Sequence, residues 1–165
     1  MALRRRTATE PGAQSNRTRQ CLRGAPLVIA IVSANPAVTK IVPAVADAVG
    51  GTVISFQNLQ RAREVLQMLR LAMRVVLVDI ATLEPDVERS LRTIEELDLP
   101  LVVVSTEDRR DLLRRGVHLG DRTFLTIPCS GPQIVERLEQ AARRQSLIDR
   151  LRRARRGSSQ LSLLV

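Results

Sequence analysis

From Leu27 to Ile127 the chain repeats one pattern: a short aliphatic run rich in β-branched residues, then a longer segment whose apolar residues recur at helical spacing. The runs Leu27 to Val32, Thr52 to Phe56, Val75 to Asp79, Leu101 to Val104 and Thr123 to Ile127 predict five strands. The first has no interior charge, which suits a strand covered on both faces. Strands that alternate with helices are joined by right-handed crossovers, so the expected class is α/β: a doubly wound, five-stranded parallel sheet. In such a sheet the functional crevice lies at the carboxyl ends of the strands.

The intervening segments carry helix punctuation. Pro36 opens a helix to about Val49, with Val38, Ile41, Val42, Val45 and Val49 on one side, Pro43 set to bend or restart it, and Gly50 and Gly51 ending it. Asn58 caps a helix marked by Leu59, Ala62, Val65, Leu66, Leu69 and Met73. Val87, Leu91, Ile94 and Leu97 share a face in the segment from Glu84 to Leu97, with Pro85 near its first turn. A charged helix is expected from Glu107 to about Arg115, ended by Gly116, and a last helix from Gly131 and Pro132 to about Arg156.

A length of 165 residues accommodates one domain and tails. Two Phe and no Tyr or Trp require an aliphatic core and disfavour a base-stacking surface. The net charge of +9 is uneven: residues 1–26 contribute +5, residues 140–165 contribute +6, and the body between them −2. That distribution describes an ordinary domain with basic appendages. The expected organisation is a disordered basic arm at 1–26, the domain at 27–142, a basic helical extension at 143–156 and a flexible tail at 157–165, with Gly157, Ser158 and Ser159 as its joint. Cys21 and Cys129 form neither a disulfide framework nor a metal-site spacing, so reduced thiols and a cytoplasmic location are expected. No apolar stretch approaches the length needed to span a bilayer.

The strand ends carry a family resemblance. Val32-Ser33-Ala34-Asn35-Pro36 closes the first strand, Val76 to Ile80 the third, Pro100 to Thr106 the fourth and Phe124 to Pro128 the fifth; Asp79 lies 46 residues after Ser33, Ser105 lies 26 after Asp79, and Ile127 lies 22 after Ser105. In order and spacing, residues 27–142 resemble the bacterial response-regulator receiver domain in a degenerate, pseudo-receiver form. The resemblance implies the flavodoxin-like (βα)5 fold of two-component phosphorelay proteins. It implies that Asp79 occupies the phosphoacceptor position, Ser105 the hydroxyl-switch position and Phe124 that of the aromatic which changes rotamer. Ser33 and Ala34 stand where the family carries its acidic pair, and Ile127 where it carries a lysine. Magnesium wants several oxygen ligands and usually one or two carboxylates, and phosphoryl transfer needs cations on the equatorial oxygens. Both suppliers are missing, so no metal site, no cofactor and no standard magnesium-dependent phosphorylation of Asp79 are expected, and no enzymatic activity.

Each of these residues also has a plainer reading. Asp79 and Ser105 serve as caps of the loops that follow them, Phe124 as a core residue, Cys129 as a small buried hydrophobe. His118, the only histidine, has no ligand partners in its loop. At the C-terminus, Ile134, Val135, Leu138 and Ala142 cover the sheet, and Leu147, Ile148 and Leu151 continue an apolar stripe on a rod expected to overhang the domain. Arg143, Arg144, Arg150, Arg152, Arg153, Arg155 and Arg156 flank that stripe and are the candidate contacts for a partner or for nucleic acid. The leading expectation is a receiver-like signalling protein that works by binding unidentified signalling proteins, through the charged fourth helix, the fifth strand and the extended fifth helix, the surfaces by which the resemblance implies output. A homodimer through that last helix is a second use of the stripe. The alternatives are a basic-tailed, nucleic-acid-associated regulator, and a working phosphoreceiver that uses magnesium.

Overall fold

Within each strand, odd and even residues go to different helical layers, and this alternation organises the molecule. The computed structural model describes residues 28–70 and 73–161; the basic arm, with Cys21, and residues 162–165 lie outside the described residues. In chain order the elements are β1 (Val28–Val32), α1 (Pro36–Thr39), α2 (Val42–Val49), β2 (Thr52–Phe56), α3 (Leu59–Met68), β3 (Met73–Asp79), α4 (Ile80–Leu83), α5 (Val87–Glu95), β4 (Leu101–Ser105), α6 (Arg109–Arg114), β5 (Thr123–Thr126) and α7 (Gly131–Leu161). The five strands pair in parallel in the order β2-β1-β3-β4-β5, the expected doubly wound sheet.

One face of the sheet presents Ala30, Val32, Val76, Val78 and Val103 to Ala62, Leu66, Ile80, Leu91, Ile94 and Leu112 from α3 to α6. The other presents Ile29, Ile31, Leu77, Val102, Val104 and Leu125 to Val38, Ile41 and Val45 of the first two helices and to Ile134, Leu138 and Ala141 of α7. A strand buried on both faces reads as an uninterrupted aliphatic run, which is why β1, β3 and β4 stand out in the sequence.

Several boundaries differ from expectation. Of the two outcomes expected at Pro43 the helix restarts, so one helix becomes two: α1 ends at Thr39 and α2 begins at Val42, with the proline in its first turn where a missing N–H costs little. The helix capped by Asn58 stops at Met68, and Met73, expected on its last turn, instead opens β3 opposite Val28; tertiary pairing overrides the helical spacing. The segment from Glu84 narrows to Val87–Glu95, and a one-turn helix, α4, precedes it. Residues 157–159, expected to form a joint, lie within α7, which runs to Leu161. One glycine costs a helix about 1 kcal/mol relative to alanine, too little to stop it here.

α7 does not leave the domain at Ala142. Gln145, Ile148 and Arg152 line a cleft of about 220 Å³ with Glu95, Asp98, Leu99 and Leu101, so the body side of the helix stays in contact with the domain as far as Arg152. Arg144 pairs with Asp121 at 2.8 Å, and Arg152 pairs with Asp98, which also accepts Arg70.

Candidate functional site

β1 is the point from which the chain winds first one way, to β2, and then the other, to β3; the carboxyl ends of β1 and β3 therefore sit side by side. The register aligns Val32 with Val78, which brings Ser33 beside Asp79. Both side chains are buried, each 1% exposed. The Ser33 hydroxyl donates to Asp79 Oδ2 at 2.8 Å and accepts from the Asn35 N–H at 3.0 Å. Asp79 Oδ1 accepts the Ala81 N–H at 3.2 Å and so caps α4, while the Thr82 hydroxyl donates to Oδ2 at 3.4 Å. The exposed Ala34 contributes its N–H, which reaches Thr82 Oγ1 at 3.0 Å.

The result is a closed relay of hydroxyls and amides around one carboxylate. Among the described residues Asp79 makes no ion pair, and no cluster of three or more His, Cys, Asp or Glu side chains has metal-binding geometry. As a donor set for magnesium this is short of anionic oxygen. One carboxylate is present, both of its oxygens already accept hydrogen bonds, and Ser33 spends its proton on that same group.

Ser105 and Ile127 lie on the same sheet edge, joined through the Ile127 N–H, which donates to the Ser105 carbonyl at 2.8 Å. The Ser105 hydroxyl accepts the Glu107 N–H at 3.0 Å, the loop-capping arrangement. Asp108 caps α6 by accepting the Asp111 N–H at 2.8 Å. Ile127 is 5% exposed and packs with Val104, Leu125 and Ile134. Phe124 goes to the opposite face of the sheet, half-buried against the first core, with the Arg109 guanidinium over its ring at 5.6 Å. Arg109 also donates to the carbonyls of Gly120 and Arg122 at 2.9 and 2.8 Å, so both of its terminal nitrogens are held.

Three further residues carry no family signal, one at the carboxyl ends of the strands and two at the amino end of β5. Thr82 is one; its position three residues after a capping Asp was the available clue. The others are Arg122 and its partner Glu95. Arg122 is 11% exposed and forks onto Glu95 at 2.8 and 3.1 Å, reaches Glu88 at 3.4 and 3.5 Å, and donates to the carbonyls of His118 and Leu119. The hydrogen bond to Glu95 raises its pKa against the opposing effect of burial. Burial alone would raise the Glu88 carboxyl, and the charge and hydrogen bonds of Arg122 and Arg92 together outweigh it, leaving the pKa lowered. Glu88 and Glu95 lie seven residues apart on one face of α5, a legible pair whose shared partner was not.

Of the candidate arginines on α7, Arg143 pairs with Glu139 at 3.3 Å, and Arg144 and Arg152 are spent on the domain. Arg153 donates to the Asp149 carbonyl at 3.3 Å, and Arg150 and Arg155 are exposed. The Arg156 side chain lies outside the described residues.

Cys129, half-buried beside the second core, has its thiol pushed up by burial. A thiol held protonated is a poor nucleophile. In a Cys21→Ser background, iodoacetamide at about pH 8 is therefore expected to alkylate Cys129 more slowly than it alkylates free cysteine; a faster rate would show that the thiol is activated.

No family model matches this chain, and neither does any curated protein. Among solved structures it is similar to the CheX-CheY-BeF3-Mg complex from Borrelia burgdorferi, at 19% identity and a TM-score of 0.59 over 76% of this chain and 96% of that one. It is similar to the signal receiver domain of a LuxO repressor protein from Vibrio parahaemolyticus, at 11% identity and a TM-score of 0.55 over 78% and 98%. A response regulator receiver domain from Clostridium thermocellum matches at 12% identity and a TM-score of 0.52 over 74% and 98%. No helix among the described residues is long and apolar enough to cross a membrane. The parallel sheet, its strand order and these neighbours together identify the fold of this chain as that of the response-regulator receiver domains.

Proposed function

We propose that this chain is a receiver-fold signalling protein that acts through protein–protein contact, and that Asp79 is a structural carboxylate rather than a magnesium-dependent phosphoacceptor. The observation that carries this reading is the 2.8 Å hydrogen bond from the Ser33 hydroxyl to a 1%-exposed Asp79. A nucleophilic carboxylate oxygen has to face an in-line phosphoryl donor and a cation that neutralises the developing charge. Oδ2 instead faces two hydroxyl donors, Oδ1 caps α4, and the lysine position holds a packed isoleucine.

With that chemistry set aside, the remaining assets are surfaces. α6, β5 and α7 share one flank, where Leu113 is exposed and Arg109 lies over Phe124. Incubation of the protein with acetyl phosphate and magnesium is expected to leave Asp79 unlabelled, as read by peptide mass spectrometry. Efficient labelling there would restore the phosphorelay alternative and overturn this reading.

A further inference from the structure

α7 has two opposed faces. Ile134, Leu138, Ala141, Gln145, Ile148 and Arg152 follow one another at helical spacing along the domain side. On the other side Leu147 and Leu151, one turn apart, are 57% and 56% exposed, with the exposed Ala154 next on the same face. These are two of the four large hydrophobic residues that stand well out into solvent among the described residues. Arg150 and Arg143, the latter also paired with Glu139, border this stripe on one edge, and Arg155 lies along the other, where Arg144 is held by Asp121. From Gln140 to Leu161 the sequence has one acidic residue, Asp149, and its carboxylate accepts the Gln145 amide on the domain side.

Resting on the protein-contact role proposed above, we infer that the Leu147–Leu151 face of α7 docks an acidic amphipathic helix of another protein. Charge complementarity selects this occupant. In a second copy, parallel or antiparallel, the flanking arginines would meet arginines, and like charges beside an apolar seam oppose pairing. Interfacial helices that bury in a bilayer usually anchor with Trp or Phe on the apolar face, and α7 has neither. Nucleic acid would use the arginines and leave the leucines in water. A helix with leucines at the seam and glutamates beside it uses both features.

The test uses the full chain and three labelled peptides of three heptads each, read by fluorescence anisotropy. One has Leu at the seam and Glu at the flanks, one is its Lys-flanked twin, and one has the Glu composition in scrambled order. The Glu-flanked peptide is expected to bind about tenfold tighter than either control, a difference of about 1.4 kcal/mol. Leu147→Ser with Leu151→Ser should remove that tenfold advantage without changing the melting temperature, since both side chains lie in solvent.

Equal binding of the Glu-flanked and scrambled peptides would reduce the interaction to bulk charge and overturn the inference. So would a wild-type dimer in light scattering that the double variant disperses, or capture by phosphatidylglycerol vesicles or duplex DNA without peptide binding. These outcomes are separable from the crevice reading, because labelling of Asp79 by acetyl phosphate leaves peptide affinity where it was.

Discussion

Arg122→Met is expected to lower the unfolding free energy by about 2 kcal/mol at neutral pH, measured by urea denaturation. The guanidinium is the best-buried cation of any ion pair in the described residues, and it holds Glu95 in a two-pronged contact, reaches Glu88, and satisfies two main-chain carbonyls before β5. Methionine keeps most of the packing and none of the donors, so Glu95 and those carbonyls lose partners that water replaces only in part. Surface pairs such as Arg92–Glu88 and Arg114–Asp111 contribute far less, and their removal serves as the control.

The effect of Arg122→Met is also expected to depend on pH. Burial pushes the Glu88 carboxyl up, but Arg122, with a smaller share from Arg92, favours its charged form enough to leave the pKa lowered. Its contribution is therefore present above the ordinary carboxylate pKa and is lost as pH falls through the depressed folded value. The gap between wild type and variant should narrow in acid. A constant gap down to strongly acid solution would mean that Arg122 acts through packing alone.

Ile134→Ala should cost more, about 3 kcal/mol, and lower the melting temperature by roughly 10 °C. Ile134 is 1% exposed and sits in the core that joins α7 to β4 and β5, beside Ile127 and Leu125. Truncation leaves a cavity lined by strand side chains that cannot close in on it, because each is held in sheet register. Calorimetry reads the loss directly. Leu151→Ala, on the outer face of the same helix, is the comparison and should change stability by less than about 0.5 kcal/mol. Similar losses at both positions would mean that the outer face is covered within the protein itself.

The layered fold was legible because it is written in local pattern. Ile29, Ala30, Ile31 and Val32 read as one aliphatic run, and in three dimensions they alternate between the two cores. Asn58 caps the helix that follows it through a side-chain oxygen, as its sequence position indicated; Asn35 and Asp108 do the same without having been read as caps. Met73 failed as a helical residue because spacing alone cannot distinguish the last turn of a helix from the first residue of a strand that pairs with Val28. The C-terminal rod was foreseen, but its attachment was not. Asp98 and Asp121, which accept Arg152 and Arg144, are 54 and 23 residues away from their partners and sit in loops with no periodic signal.

Ser33, Ala34 and Ile127 were singled out by order and spacing as positions where the resemblance implies charged groups. What Ser33 touches was not legible. Ser33 and Asp79 are 46 residues apart in the sequence, and only the β1–β3 register brings the hydroxyl to 2.8 Å from the carboxylate.

What the sequence determined by itself is the α/β alternation, the aliphatic double-faced core and the uneven charge, since these follow from the composition and period of short segments. The tertiary structure alone decided that Asp79 is enclosed by hydroxyls, that Arg122 binds α5 to the approach to β5, and that α7 turns one apolar face inward and leaves another in water. Hydrogen bonds and ion pairs depend on where separate segments cross in space, and distance along the chain does not encode it.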